Sequence, residues 1–227
     1  MVSAAALKKI AVNDVKIGEY LDPLNKSMAK YGINSSLEVC HFLAQILHES
    51  GRFLFAEEIA DGSAYEGRAD LGNNQKGDGV RFKGRGLIQL TGRSIYQRYG
   101  KYVGFDFIKD PKKLKELPYS VDSACWFFAI HKRDFDGNSL PKLAEDNNFI
   151  RITYTINGGF NGLRDRLQIF ASLAELYISD YDVKMEEIYC YVKTVVDEKP
   201  NNPYMRGALF RAVPTYKDLD NLFHGLR

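Results

Sequence analysis

The 227-residue chain has few cysteines, no excess of either charge and no long apolar run. Its three cysteines, Cys40, Cys125 and Cys190, lie far apart, which argues against a disulfide scaffold or a zinc knuckle. This pattern favours free thiols in a protein made in a reducing compartment. A net charge of +2 is too small for a protein that binds nucleic acid through its phosphates, so we expect no nucleic-acid partner.

Membrane-spanning and secretory segments are also lacking. No stretch approaches about 20 consecutive apolar residues, so the sequence predicts no integral membrane segment. The first residues, MVSAAALKKIAVNDVK, place lysines after a short alanine run, which reverses the order of a secretory signal. We therefore expect synthesis in the cytoplasm without a Sec signal, and release or delivery by another protein if the chain acts in the periplasm or outside.

Glycine is concentrated in one segment, since eight of the 19 glycines lie between Gly62 and Gly92. Such a segment cannot form a long helix. Helical patterns flank it on both sides, so the predicted fold class is mainly α, with a Gly-rich loop or small hairpin. Residues 149–156 fit either a helix or a strand. Helices are predicted at residues 36–49, 121–131, 161–178 and 184–196.

The clearest helix, at 36–49, provides the first candidate for catalysis. Ser35 and Glu38 fit a capping box at its start, and apolar residues cover its circumference except for a narrow polar stripe that ends at Glu49. The helix dipole and a low dielectric both disfavour a negative charge there, which favours a protonated carboxylic acid. Such an acid can protonate the leaving oxygen of a glycosidic bond. The alternative is that the stripe is an ordinary solvated face.

Glycoside hydrolysis needs a second carboxylate, and five acidic residues follow within about 20 positions of Glu49. The intervening chain is long enough to fold back to the roughly 6.5–9.5 Å separation of an inverting pair. Spacing alone does not choose among the five, and surface charge is the usual fate of any one of them. They are Glu57, Glu58, Asp61, Glu66 and Asp70.

Motifs for metal ions are incomplete. His48 and Glu49 begin like the zinc-protease motif, but Arg52 occupies the position of its second histidine. The run DFDG at 134–137 has its glycine two positions too early for a calcium loop. We therefore expect no metal site, and hydrolysis of a glycosidic bond needs no cofactor.

Three segments, taken together, resemble the signature segments of glycoside hydrolase family 19, the family of plant-type chitinases and many phage endolysins. They are HESGRF (48–53), FKGRGLIQLTGRSIY (82–96) and INGGFNGLRDR (156–166). The intervening YEGRADLGNNQKGDG (65–79) resembles the endolysin and bacterial branch more than the plant enzymes. The resemblance implies a lysozyme-like, two-lobed helical fold. It places the catalytic domain at 1–180, and the C-terminal residues 181–227 are expected to form a helical extension packed on it.

The resemblance also implies roles for single residues. Glu49 would be the general acid and Glu58 the general base that activates water. Glu66 is an alternative base, because chitinase members place that residue nearer the GRG segment. Thr91 would help to hold the attacking water. The remaining matched positions are expected to contact substrate: Gln89, Asn157, Arg166, His48 and Tyr96.

The implied activity is hydrolysis of β-1,4 bonds between N-acetylhexosamines by an inverting acid/base mechanism. We expect peptidoglycan glycan strands as the substrate, as for a bacteriolytic endolysin or muramidase that degrades the cell wall. Chitin oligomers are the first alternative, and a catalytically inactive glycan-binding or partner-binding protein on the same scaffold is the second. The expected partner is a phage holin if the chain is released as an endolysin, or an inhibitor or immunity protein if it is a delivered antibacterial toxin. The sequence predicts no particular oligomeric state.

Overall fold

The computed structural model describes residues 1–197, 208–209, 218 and 221–223. These residues form ten α-helices joined by loops and short helical turns, so the predicted mainly α fold is confirmed. The sequence predicts a loop or a small hairpin in the Gly-rich segment. Arg85 in this segment forms isolated β-bridges with Glu57 and with Leu90. The chain divides into two compact units, which we call unit 1 (residues 1–32 and 49–127) and unit 2 (residues 33–48 and 128–227).

Unit 1 contains a buried carboxylate that links several of its helices. Asp122 accepts hydrogen bonds from Lys30 at 2.6 Å, Tyr31 at 2.7 Å and Tyr99 at 2.8 Å. These three residues come from or directly follow helices that are distant in sequence, so Asp122 ties the unit together. The helices are α1 (Ala4–Lys9), α2 (Asp14–Lys30), α4 (Asp78–Arg81), α5 (Arg93–Val103) and α6 (Tyr119–Trp126), which continues into a π-helical turn at Phe127–His131.

Unit 2 is built from longer helices. They are α3 (Ser36–Glu49, whose last residue belongs to unit 1), α7 (Leu140–Glu145), α8 (Phe149–Asn157), α9 (Leu163–Tyr177) and α10 (Tyr181–Asp197). The capping box of α3 is present, since Ser35 accepts from the N–H of Glu38 at 3.1 Å. The ambiguous segment is helix α8, which begins with an Asn148 cap and ends at Gly158 with φ of 71°.

Helix α10 starts the predicted C-terminal extension and packs against α8 and α9. A buried histidine links it to α3, because His41 Nε2 lies 3.0 Å from Asn147 Oδ1 and Asn147 donates to the carbonyl of Lys184 at 2.8 Å. Burial lowers the pKa of His41 to about 3. The remaining residues of the predicted extension, at 198–207, 210–217, 219–220 and 224–227, lie outside the described part of the chain.

The described residues contain no helix long and apolar enough to span a membrane. Within the same residues, no group of three or more His, Cys, Asp or Glu side chains could hold a metal ion. In the DFDG loop the Arg151 guanidinium pairs with Asp134 and, at 2.6 Å, with Asp136. A side-chain cation therefore neutralises the carboxylates of this loop.

Candidate active site

Helix α3 ends at Glu49, directly before a turn with unusual backbone geometry. Residues 51–53 have φ values from 55° to 68°, a left-handed conformation that costs about 1–3 kcal/mol for each non-glycine residue and persists where surrounding contacts hold it. Here Ser50 Oγ accepts from the N–H of Phe53 at 3.0 Å, and the buried Phe53 ring stacks on Tyr20 at 5.0 Å. The turn fixes how the chain leaves the half-buried Glu49.

Three of the five acidic residues after Glu49 are bound by arginine, lysine or serine residues of the same unit. Glu57 pairs with Arg85 at 2.8 Å and with Lys115 at 2.6 Å. Burial acts to raise the pKa of Glu57, but these two cations outweigh it and hold the pKa below its ordinary value. Asp61 accepts two hydrogen bonds from the serine two positions later, and Asp70 pairs with a neighbouring arginine. These carboxylates stabilise the loop.

Glu66, the alternative base, also braces the loop. Its two carboxylate oxygens accept from the N–H groups of Gly77 at 2.6 Å and Gly79 at 2.8 Å. Gly79 must lack a side chain, because a Cβ there would lie 2.6 Å from the backbone nitrogen of Glu66. Both oxygens of this exposed carboxylate therefore bind backbone.

The Glu58 carboxylate is oriented by a tyrosine hydroxyl and a backbone N–H. Tyr65 donates to Oε1 at 2.9 Å and Gly84 donates to Oε2 at 3.0 Å, while the N–H of Glu58 donates to the carbonyl of Gly84 at 2.9 Å. Burial, followed by the hydrogen bond to Glu58, raises the pKa of Tyr65, so its hydroxyl remains a donor. A half-buried carboxylate held by neutral donors is suited to accept a proton from water.

Gln89 lies beside Glu58, and both side chains approach Gly84. A Cβ at position 84 would lie 2.9 Å from Gln89 Oε1 and 3.2 Å from Glu58 Oε2, so both side chains would have to shift to make room for it. Gln89 has φ of 56°, and its amide donates to the carbonyl of Gly86 at 2.9 Å. Thr91 Oγ1 donates to the carbonyl of Gln89 at 2.9 Å and keeps lone pairs that can accept from water. Unit 1 thus brings the Gln89 side chain close to the predicted base, and Thr91 is hydrogen-bonded to the backbone of Gln89.

Tyr96 braces this loop from inside the protein. Its side chain has no exposed area, and its hydroxyl donates to the carbonyl of Lys83 at 2.6 Å and accepts from Arg85 at 3.0 Å. Burial raises the pKa of Tyr96. Tyr96 therefore braces the loop, and its contact with substrate stays a prediction.

Two of the predicted substrate contacts in unit 2 remain partly accessible. His48 is half-buried, and its Nδ1 lies 2.6 Å from Asp165 Oδ2. The ring lies against Gly162, where a Cβ would be 2.0 Å from His48 Cε1. Asn157 ends helix α8, and its amide nitrogen is buried without a hydrogen-bond partner among the described residues. A ligand could supply a partner for this donor.

Arg166, the third prediction in unit 2, is only 1% exposed. Its Nη1 donates to Gln45 Oε1 at 2.6 Å and its Nε donates to the carbonyl of Asn161 at 3.3 Å. Gln45 in turn donates to Thr153 at 3.1 Å, which joins α3, α8 and α9. Arg166 is therefore part of a buried network that fixes these helices, and its direct contact with substrate stays a prediction.

Tyr65, Gly84 and Asp165 lie outside the set predicted from the sequence. Tyr65 and Gly84 bind Glu58 from seven and 26 positions away, and Asp165 binds His48 from 117 positions away. The signal for Tyr65 is its place at the start of the YEGR segment, close to Glu58. The other two contacts depend on how the chain folds back, and no local pattern predicts them.

Known proteins were compared with this chain in sequence and in structure. A glycosyl hydrolase family 19 domain-containing protein of Haemophilus influenzae is 29% identical over 204 residues, which cover 76% of this chain and 96% of that protein. An endochitinase of Arabidopsis thaliana is 35% identical over 136 residues, 59% of this chain but 44% of the endochitinase. The crystal structure of chitinase C from Streptomyces griseus HUT6037 matches with a TM-score of 0.61 at 18% identity, over 78% of this chain and 76% of that chain, and so shares its fold. No protein-family model matches the chain.

Proposed function

From the premise that the chain is a homologue of glycoside hydrolase family 19 proteins, we propose that it cleaves β-1,4 bonds between N-acetylhexosamines in peptidoglycan. The observation that carries this proposal is the setting of Glu58. Among the five acidic residues that follow Glu49, it is the one whose carboxylate lies beside Gln89 and is oriented by two neutral donors. Glu49 ends the preceding helix and remains half-buried.

In the proposed reaction Glu49 is the acid and Glu58 is the base. Glu49 gives its proton to the leaving glycosidic oxygen while Glu58 takes a proton from a water molecule held with the help of Thr91. The water oxygen bonds to the anomeric carbon as the glycosidic bond breaks, so the configuration inverts. The Tyr65 hydroxyl and the N–H of Gly84 orient the base. The reaction needs no oxidant, reductant or bound cofactor.

Two features support peptidoglycan as the polymer. The HESGRF and YEGRADLGNNQKGDG segments resemble the endolysin and bacterial branch. Cys40 and Cys125 are buried free thiols and Cys190 is an exposed one, which suits a protein made in a bacterial cytoplasm that then acts on the wall. Chitin is the second candidate, because relatives such as the Arabidopsis thaliana protein are named endochitinases.

The test is a parallel assay of turbidity and soluble products on purified peptidoglycan and on chitin oligomers. It compares the wild type with Glu49→Gln and with a matched control, Glu116→Gln, whose carboxylate is an exposed partner of Lys113. We expect peptidoglycan lysis that Glu49→Gln lowers at least about a hundredfold and Glu116→Gln leaves unchanged. The first product formed should be the α-anomer, detected by proton NMR.

Other outcomes would point elsewhere. Cleavage confined to chitin oligomers would select the second candidate. Binding of either polymer without cleavage would favour an inactive glycan-binding protein. Full lysis by a folded Glu49→Gln chain would remove the acid role of Glu49.

A further inference from the structure

The residues that directly follow Glu58 lie at the surface of unit 1. Residues 59–61 are exposed, and Ile59 has 82% of its area exposed. Such a segment gains little free energy from apolar burial, so polar contacts have to fix its position. The placement of Glu58 therefore depends on the hydrogen bonds that hold its carboxylate and its backbone.

The side chain of Lys83 binds this backbone on both sides of Ile59. Its Nζ donates to the carbonyl of Glu58 at 2.8 Å and to the carbonyl of Ala60 at 3.0 Å. An ammonium group has three N–H donors, and its charge strengthens each hydrogen bond that it makes. One lysine can therefore bind two carbonyls at once, and Lys83 holds residues 58–60 against the loop that precedes Gly84.

Lys83 is itself held at its backbone and along its stem. Its carbonyl accepts from the hydroxyl of Tyr96 at 2.6 Å, and Tyr96 has no exposed area. Gly62 packs against the half-buried stem, since a Cβ at Gly62 would lie 2.7 Å from Lys83 Cβ. A side chain that is already ordered loses little entropy when its ammonium binds. These contacts link the backbone of Glu58 to the buried part of unit 1.

Lys83 and the next residue, Gly84, bind different parts of Glu58. The N–H of Gly84 donates to Glu58 Oε2 at 3.0 Å, and its carbonyl accepts from the N–H of Glu58 at 2.9 Å. Lys83 adds the bond to the Glu58 carbonyl. Two consecutive residues thus bind the carboxylate, the N–H and the C=O of the predicted base, and Lys83 is the one that also binds the chain after it.

We propose that Lys83 is a positioning residue for the base Glu58, an inference that rests on the proposed function. Its two contacts are with backbone carbonyls, so it acts through Glu58 and not on the substrate. The base must lie within hydrogen-bond distance of the attacking water, and a displacement of about 1 Å can lower a rate about a hundredfold. Loss of the ammonium should therefore lower kcat more than it changes KM.

Three variants of the full-length chain test this role. Lys83→Met keeps the apolar stem and removes the donors, whereas Lys83→Arg keeps a cation with several N–H donors. Arg81→Met is the matched control, because Arg81 Nη2 donates to the carbonyl of Ile108 at 2.7 Å. The control thus removes a bond of the same kind that holds a different segment of unit 1. Thermal unfolding of every variant verifies that it folds.

Kinetics are measured on the polymer that the wild type cleaves. We expect Lys83→Met to lower kcat about tenfold with KM within about twofold of the wild type, and Lys83→Arg to restore kcat to within about threefold. Arg81→Met should keep both constants. If Lys83→Met unfolded at a lower temperature and kept the kcat of the wild type, Lys83 would only stabilise the fold and the proposal would be overturned.

Amide hydrogen exchange, followed by NMR, tests the same contact without any activity. The N–H groups of Glu58 and Gly84 are hydrogen-bonded to each other's residue, and both should exchange about tenfold faster in Lys83→Met and at the wild-type rate in Arg81→Met. Faster exchange in a chain that cleaves neither polymer would support the positioning of Glu58 and contradict the proposed hydrolysis. Unchanged exchange and unchanged kcat in folded Lys83→Met would overturn the positioning role and leave the proposed function standing.

Discussion

The two units hold their candidate site residues by different means. In unit 1, Glu58 and Glu66 accept hydrogen bonds from the backbone N–H groups of glycines, in a segment with little regular structure. In unit 2, side chains of α3 bind side chains of other helices, as His48 binds Asp165 and Gln45 binds Arg166. The geometry of unit 1 thus depends on where glycines allow close approach, and that of unit 2 depends on buried polar partners. Substitutions around Glu58 should therefore affect activity more than stability, and substitutions in the buried pairs of unit 2 should do the reverse.

The largest expected effect is on activity, in unit 1. In Gly84→Ala the new methyl group would lie 2.9 Å from Gln89 Oε1 and 3.2 Å from Glu58 Oε2 and would displace both side chains. We expect kcat to fall about a hundredfold with little change in Tm, because small displacements of catalytic groups have large effects on rate. The control is Gly18→Ala in α2, where a Cβ meets no atom within 4 Å. Equal kcat for the two variants would contradict the account.

The next effect is on stability, in unit 2. Arg166→Met removes the donor to the fully buried Gln45 Oε1 and should lower the free energy of unfolding by about 2 kcal/mol. Arg164→Met, on the exposed side of the same helix, is the control and should change it by less than about 0.5 kcal/mol. Urea unfolding measures both. If Arg166→Met raised KM and left the free energy of unfolding almost unchanged, the result would instead support the predicted contact with substrate.

A pH-dependent effect should follow from the buried His41 in unit 2. Its pKa is lowered from 6.5 to about 3 on folding, so between these values the unfolded chain binds a proton that the folded chain does not. Stability should therefore be lost as pH falls below 6.5, by up to about 1.4 kcal/mol per pH unit. His41→Gln should lose less stability than the wild type between pH 7 and pH 5. If the two chains lost the same free energy of unfolding between pH 7 and pH 5, His41 would not titrate as described.

The smallest effect concerns Tyr65 in unit 1. Burial and then the Glu58 carboxylate raise its pKa, so Glu58→Gln should move the Tyr65 pKa downward by removing the negative charge. Carbon-13 NMR of labelled tyrosines follows this titration. Tyr99, whose pKa burial and the Asp122 carboxylate raise, serves as the internal control and should keep a raised pKa. An unmoved Tyr65 titration would mean that the two side chains are not paired in solution.

Local signals in the sequence predict part of this architecture. Ser35 and Glu38 mark the start of α3, and Gly51 predicts its end, so its bounds are confirmed. Residues 149–156 fit the period of a helix and that of a strand. The Asn148 cap and the left-handed backbone of Gly158 favour the helix, which is α8. Caps and glycines act within a few residues, which is why they can be found in the sequence.

Contacts between distant segments are beyond such signals. Arg166 and Tyr96 match positions expected to contact sugar, yet both are buried and bind Gln45 and Arg85. One of the two donors that orient Glu58 is the N–H of Gly84, which is 26 positions away. Burial and long-range pairing depend on how the chain folds back on itself. Neither hydrophobic periodicity nor amino-acid composition predicts them.

The central claim is that Glu58 is the base and that Glu66 braces the loop. The most direct measurement compares kcat and Tm of Glu58→Gln and Glu66→Gln on the polymer that the wild type cleaves. The account predicts that Glu58→Gln loses at least about a hundredfold in kcat and keeps its Tm, whereas Glu66→Gln keeps most of its kcat and unfolds at a lower temperature. Loss of activity in a folded Glu66→Gln chain, with near-normal kcat in Glu58→Gln, would contradict it.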